Sequence, residues 1–264
     1  MTALIQARID EVRAALDQVT DPELDESVVE LGFVTAIDIT DDGAVAIGFR
    51  LPTYWCAANF SYLMAADMRD AAAALPFVTK ISVTLDDHMF VDAINDGIAA
   101  GHDFRDAFPG EAHADLAGIR LHFGLKSFER RQEALLRHLL AQGYEPAAIL
   151  ALDAAGLQAL PLDEEGAILR RRYMGRRALA GPQMAAFVTS AGEPILVETL
   201  PVYLRHIRRV GLNAEFNGAL CRGLLVARYG AAPTALPAEP ELVDFLRLVP
   251  PVAGPGSVAP TARR

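Results

Sequence analysis

The sequence predicts an α+β fold: a small sheet domain, then a mainly helical region and a proline-rich tail. Two observations carry this. Residues 33–40 and 44–51 alternate apolar and polar side chains around Asp41, Asp42 and Gly43, the pattern of a β-hairpin. A helix-period run over residues 57–75 then leads to a third alternating run at 77–85, so the early order is α-β-β-α-β. That order makes a small sheet covered by helices. From residue 88 to 160 the spacing is mostly helical.

Taken in order, Leu4, Ile5, Ile9, Val12 and Leu16 form one helical stripe over residues 2–19. Asp21 before Pro22 ends it, because a residue preceding proline is steered from helical angles. Ser27 with Glu30 fits a capping box and Gly32 a C-terminal stop, so one short helical turn is expected there. Pro52 stops the second strand. Phe60, Leu63, Met64, Ala71 and Leu75 stripe a helix that ends at Pro76, and Ile81, Val83 and Leu85 share one strand face. Phe104 and Phe108 lie four apart, and Leu116 to Leu140 continue the helical pattern. Residues 161–195 give little pattern, apart from a hairpin expected around Ala191 and Gly192. Residues 197–210 are amphipathic, and Asn213 is expected to cap a separate last helix running to Tyr229. Seven prolines fall in residues 231–264, so that tail is expected to be disordered. The expected domains are therefore 1–90, 91–230 and the tail 231–264.

The 264 residues are 52% hydrophobic, enough for a substantial core. No run of about 18 apolar residues occurs, so no membrane span is expected. The first residues lack a basic segment followed by an apolar run, so no signal peptide is expected. Two cysteines give no disulfide framework, which fits a reducing cytoplasm. Residues 1–90 carry 15 acidic against 5 basic side chains, while the remainder carries 19 of each. An acidic balance argues against a nucleic-acid partner. The exception is the arginine cluster between Arg170 and Arg177, read as a solvated face.

Cys56 is the residue whose position suggests chemistry. It follows a strand and precedes a helix, beside Trp55, the single tryptophan. Unpaired N–H groups and the helix dipole favour a thiolate at such a place, and such cysteines act as nucleophiles or metal ligands. The alternative is a small buried apolar side chain.

The residues around it resemble a known family. Asp21, Pro22 and Glu23 come first. Leu31, Gly32 and Val34 open the first strand, and Thr53 and Cys56 follow the second. This order, over about residues 5–90, resembles the SufT/PaaD-like iron–sulfur assembly factors, the metal–sulfur cluster biosynthetic domain. That resemblance implies a small adaptor that helps deliver iron–sulfur clusters, not an enzyme. Where the family has Thr-Pro-Gly-Cys-Pro, this chain has Thr53, Tyr54, Trp55, Cys56 and Ala57, whose aromatics alter access to the sulfur. Residues 87–97 and 217–223 resemble long-form relatives associated with soluble di-iron monooxygenases. The client implied is a monooxygenase or its iron–sulfur reductase.

The candidate cofactor-binding residues are Cys56, Asp21, Glu23 and Thr53, and the candidate metal ligands Cys56, Cys221 and His88. The cargo is an iron–sulfur cluster or iron, held transiently. A cluster takes about four thiolates, so two cysteines require a client metalloprotein's ligands or a homodimer. Each candidate has a structural alternative. Cys221 fits core packing beside Leu224 and Leu225, His88 a surface histidine, and Asp21 and Glu23 a turn. Two other functions are open: a metal-free interaction or assembly-chaperone module, and a cysteine-dependent enzyme. The latter lacks a catalytic partner at recognisable spacing.

Overall fold

The structure, a computed structural model, describes residues 3–110 and 116–230. The expected tail at 231–264 lies outside them. Helix α1 (Ala3–Leu16) buries Ile5, Val12 and Leu16. Strands β1 (Val34–Ile39) and β2 (Ala44–Arg50) pair antiparallel. Their turn needs glycine: Gly43 has φ +88°, and a Cβ there would sit 2.2 Å from the Phe77 carbonyl oxygen. Helix α2 (Ala58–Ala73) then crosses over to β3 (Lys80–Asp86), which runs parallel to β2. The sheet order is β1-β2-β3.

The alternation seen in sequence has its purpose here. Val45, Ile47 and Phe49 lie opposite Ile81, Val83 and Leu85. Together with Tyr62, Met64 and Met68 of α2 they form the first core. That core also takes Phe104, Phe108 and Leu225 from later in the chain. Burying a phenylalanine or leucine side chain contributes about 1.5–3 kcal/mol, so these late residues add materially to the early sheet.

The helical region consists of α3 (Val91–Ala100), α4 (Phe104–Ala107), α5 (Leu116–Ala141), α6 (Pro146–Leu150), α7 (Ala154–Ala159), α8 (Glu164–Arg177) and α9 (Leu200–Tyr229). A second core gathers Phe128, Leu135, Leu136 and Leu139 of α5 with Ile149, Leu157, Tyr173 and Phe187.

Three expectations need correction. The poorly patterned stretch contains α8, whose signals are at its ends: Asp163 accepts from the Gly166 N–H, Glu164 and Glu165 begin the helix, and Arg176 and Arg177 close it. The hairpin at 187–197 is a turn with a single bridge, Val188 to Pro194, in place of paired strands. Asn213 caps nothing, because α9 runs unbroken through it. Gly211, Ala214 and Gly218 are buried along α9, and a Cβ on Gly218 would lie 3.4 Å from the Glu26 carboxylate of the early loop. Close tertiary packing there outweighs the low helix propensity of glycine and asparagine.

The arginine cluster is a solvated face only in part: Arg171 and Arg172 are exposed, whereas Arg170, Arg176 and Arg177 are not. Arg170 donates to the carbonyls of Leu157 and Leu160. Arg177 is buried and donates to the carbonyls of Gly181, Gln183, Ala185 and Ala186. Arg176 reaches Asp25, at 3.4 Å.

Asp25 joins the two cores. It is 5% exposed and holds a left-handed backbone, φ +52°, which a non-glycine residue adopts rarely. Arg131 of α5 forks its carboxylate with two bonds of 2.7 Å. Arg130 donates to the neighbouring Leu24 carbonyl at 2.5 Å. Burial pushes the Asp25 carboxyl up, but the Arg131 fork and the Arg176 charge outweigh it and hold it below the usual range. Removing one partner of a buried pair strands the other charge. Asp25→Ala is therefore expected to cost about 3–5 kcal/mol. Urea unfolding measures it, and a midpoint within error of wild type would show the fork to be dispensable.

Candidate functional site

The site is built where the β2–α2 turn, the loop after β3, the 21–26 loop and α9 converge. Pro52 ends β2, and Cys56 stands one residue before Ala57, the N-cap of α2. Its sulfur is half-buried and lies 3.1 Å from the Thr53 hydroxyl. Tyr54 and Trp55 beside it are 47% and 71% exposed, so the turn presents aromatic surface around a partly sheltered thiol.

His88 fixes this turn from below. Its Nδ1 accepts from the Phe90 N–H at 3.1 Å, so that nitrogen carries no proton. Nε2 then carries it and donates to the Cys56 carbonyl at 2.8 Å. The Met89 N–H adds a bond to the Tyr54 carbonyl at 2.9 Å. Burial holds His88 below its usual range and the Arg228 charge adds to this, against the bond to Cys56. The expected surface histidine is in fact 2% exposed. With both ring nitrogens committed, a metal-ligand role would require breaking one of these bonds.

Asp21 makes an Asx turn, accepting from the N–H groups of Glu23 at 2.9 Å and Leu24 at 2.8 Å. Burial nevertheless pushes its carboxyl up to about 6, against those backbone bonds and with the help of Glu23 and Glu26. Ser27 caps the next turn by accepting from Val29 and Glu30, and Gly32 ends it at φ +72°.

Helix α9 lies across both loops. Asn217 donates to Glu23 at 3.0 Å, and Arg222 to Glu26 at 2.7 Å. Arg228 donates to the Leu51 carbonyl at 3.3 Å and to the Asp87 carboxylate, and its neighbour Tyr229 reaches the Leu51 carbonyl at 3.4 Å. Cys221 shares this face and packs half-buried on the same core as Cys56. Burial pushes the Cys221 thiol up to about 12, and nearby Asp21, Cys56 and Glu23 push the same way. The fold thus brings Cys56, Cys221, Asp21 and Glu23 into one electrostatic neighbourhood, with Thr53 on the sulfur. Among the described residues, no three or more His, Cys, Asp or Glu side chains are assembled as a metal cage. No described helix is long and apolar enough to cross a membrane.

Sequence reasoning missed the arginines and Asn217 that seat α9 on the site. Their helical spacing, 217, 221 or 222, 225 and 228, was readable, but the acceptors on the other loops were not.

Residues 9–83 match the model of a family described as iron-sulfur cluster assembly protein. Over 87 residues the chain is 28% identical to an uncharacterized protein of Methanocaldococcus jannaschii, a match taking in 33% of this chain and 90% of that one. The crystal structure of a domain of unknown function, DUF59, from Bacillus anthracis is 23% identical. It covers 30% of this chain and 74% of its own, with a TM-score of 0.29. Asp21, Glu23, Thr53 and Cys56 lie inside the matched segment, whereas His88 and Cys221 lie beyond it.

Two outcomes follow from this geometry. Loss of the His88 bonds should free the turn, so His88→Ala is expected to cost about 1–3 kcal/mol and to speed alkylation of native Cys56. An unchanged alkylation rate in a folded variant would show that His88 does not hold the turn. Asp21 binds its proton more tightly folded than unfolded. Its contribution is therefore full below about pH 4 and is lost as pH rises through about 6, by up to about 3 kcal/mol. Asn at this position still accepts both N–H bonds. Asp21→Asn should raise the melting temperature at pH 7.5 and leave it near wild type at pH 4. A gain equal at both pH values would assign the effect to something other than ionisation.

Proposed function

We propose that this chain is a cytoplasmic iron–sulfur cluster assembly or metalloenzyme maturation factor, an adaptor or transient carrier and not an enzyme. The observation that carries this reading is the match of residues 9–83 to the iron-sulfur cluster assembly family, with Cys56 inside it. The half-sheltered sulfur at the head of α2, touched by Thr53 and framed by exposed aromatics, supports a handover role. Thiolates are the usual ligands of such clusters, which need about four. Two cysteines leave that shell incomplete, so the cargo is shared with a client or a second copy and can be released. The client we assign is a metalloprotein such as a di-iron monooxygenase component, on the SufT/PaaD-like long-form resemblance of residues 87–97 and 217–223.

A second reading, a metal-free interaction module, is favoured by the exposure of Tyr54, Trp55 and Met89 around the cysteine. The two separate under anaerobic loading with iron and sulfide. The first expects a visible charge-transfer spectrum and faster maturation of an apo-ferredoxin, both lost in Cys56→Ala. Maturation that persists fully in Cys56→Ala would favour the metal-free module. Neither uptake nor maturation by wild type would sink the assembly role.

A further inference from the structure

We propose that Cys221 is the second thiol of the Cys56 site, so that the chain offers a soft, thiophilic cation two sulfurs from distant segments. This rests on the reading of Cys56 as the handover residue and adds to it a ligand from outside the matched segment 9–83.

The geometry points there from three sides. Cys221 is one helical turn from Asn217 and from Leu225, both of which face the early domain. Asn217 binds Glu23, and Leu225 enters the first core. Beyond Leu225, Arg228 and Tyr229 bind the carbonyl of Leu51, which begins the turn that carries Cys56. The face of α9 that holds Cys221 is therefore seated between the 21–26 loop and the 51–56 turn.

Charge supports the same reading. Asp21, Glu23 and Cys56 lie in the electrostatic surroundings of Cys221, and the two cysteines pack on the same core. An arriving metal ion displaces the thiol protons and is drawn by nearby carboxylates. The guanidinium of Arg222, next to Cys221 in sequence, is turned to Glu26. Soft thiolate pairs select iron, zinc or copper(I). A site of two sulfurs, short of a closed cage, leaves coordination positions for a recipient's ligands.

Phenylarsine oxide is a direct probe of paired thiols. Its arsenic forms two As–S bonds, and its oxygen leaves with both thiol protons as water. Native full-length protein should take up one equivalent, with a change in the emission of Trp55 beside Cys56. Cys56→Ser and Cys221→Ser should each weaken that uptake by about 100-fold or more, the loss expected when two-point attachment becomes one-point. Wild-type protein that fails to close on the arsenical, or a Cys221→Ser variant that binds like wild type, overturns the pairing. If either variant unfolds, dibromobimane on the native wild type decides. A bridged pair of Cys56 and Cys221 peptides supports the site, and two singly alkylated peptides overturn it. Ferrous iron loading separates this inference from the assembly role. Iron uptake that depends on Cys56 but survives Cys221→Ser removes the second thiol and leaves that role. Arsenical closure in a protein that takes up neither iron nor cluster keeps the thiol pair and removes the role.

Discussion

The ion pair between Asp25 and Arg131 is the constraint on which the packing of the two described cores depends. It fixes the 21–26 loop to α5 at a point where the backbone is already held at an unfavourable φ. Arg176 and Arg130 reinforce it from α8 and α5. A buried pair of this kind adds little over an apolar contact of the same shape, yet breaking it is costly. Its effect is to specify one docking of the sheet domain on the helical region. The same loop is gripped on its other side by Asn217 and Arg222 of α9. Asp21 and Glu23 thereby lie between these two sets of contacts.

The cysteine turn is constrained in a comparable way. His88 and Met89 bond its carbonyls, and the Arg228 and Tyr229 side chains bond the Leu51 carbonyl where it begins. What remains free is the outer edge, Tyr54 and Trp55. A rigidly held thiol below an exposed aromatic rim suits a site that meets another protein, since function commonly sits on loops positioned by a rigid frame. The rim supplies apolar contact area, and the sulfur behind it is the group that a recipient would have to reach.

How far the sequence could be read depends on the range of the interactions involved. The hairpin around Gly43, the crossover to β3 and the cap at Ser27 were legible because each is encoded within a few neighbouring residues. So was the Asx turn of Asp21, and so was the place of Cys56 before α2. The unbroken α9 was not, because Gly211 and Asn213 read locally as a break while burial of small residues keeps the helix whole. Helix α8 was overlooked although its acidic start and basic end were present.

By itself, then, the sequence determined the order of elements, the hairpin and a cysteine at the head of a helix. Periodicity and turn chemistry act over a few residues and leave a direct imprint on the chain. Only the tertiary structure decided that His88 is a buried clamp and that Arg170, Arg176 and Arg177 of α8 are internal pins. It alone placed Cys221 on the face of α9 that packs on the core shared with Cys56. Those outcomes depend on which carbonyl or carboxylate waits across a packed interface, and the two sides of each contact lie 32 residues apart for His88 and 151 for Arg176. No local pattern records a partner at that distance, because the contact exists only once both cores have formed.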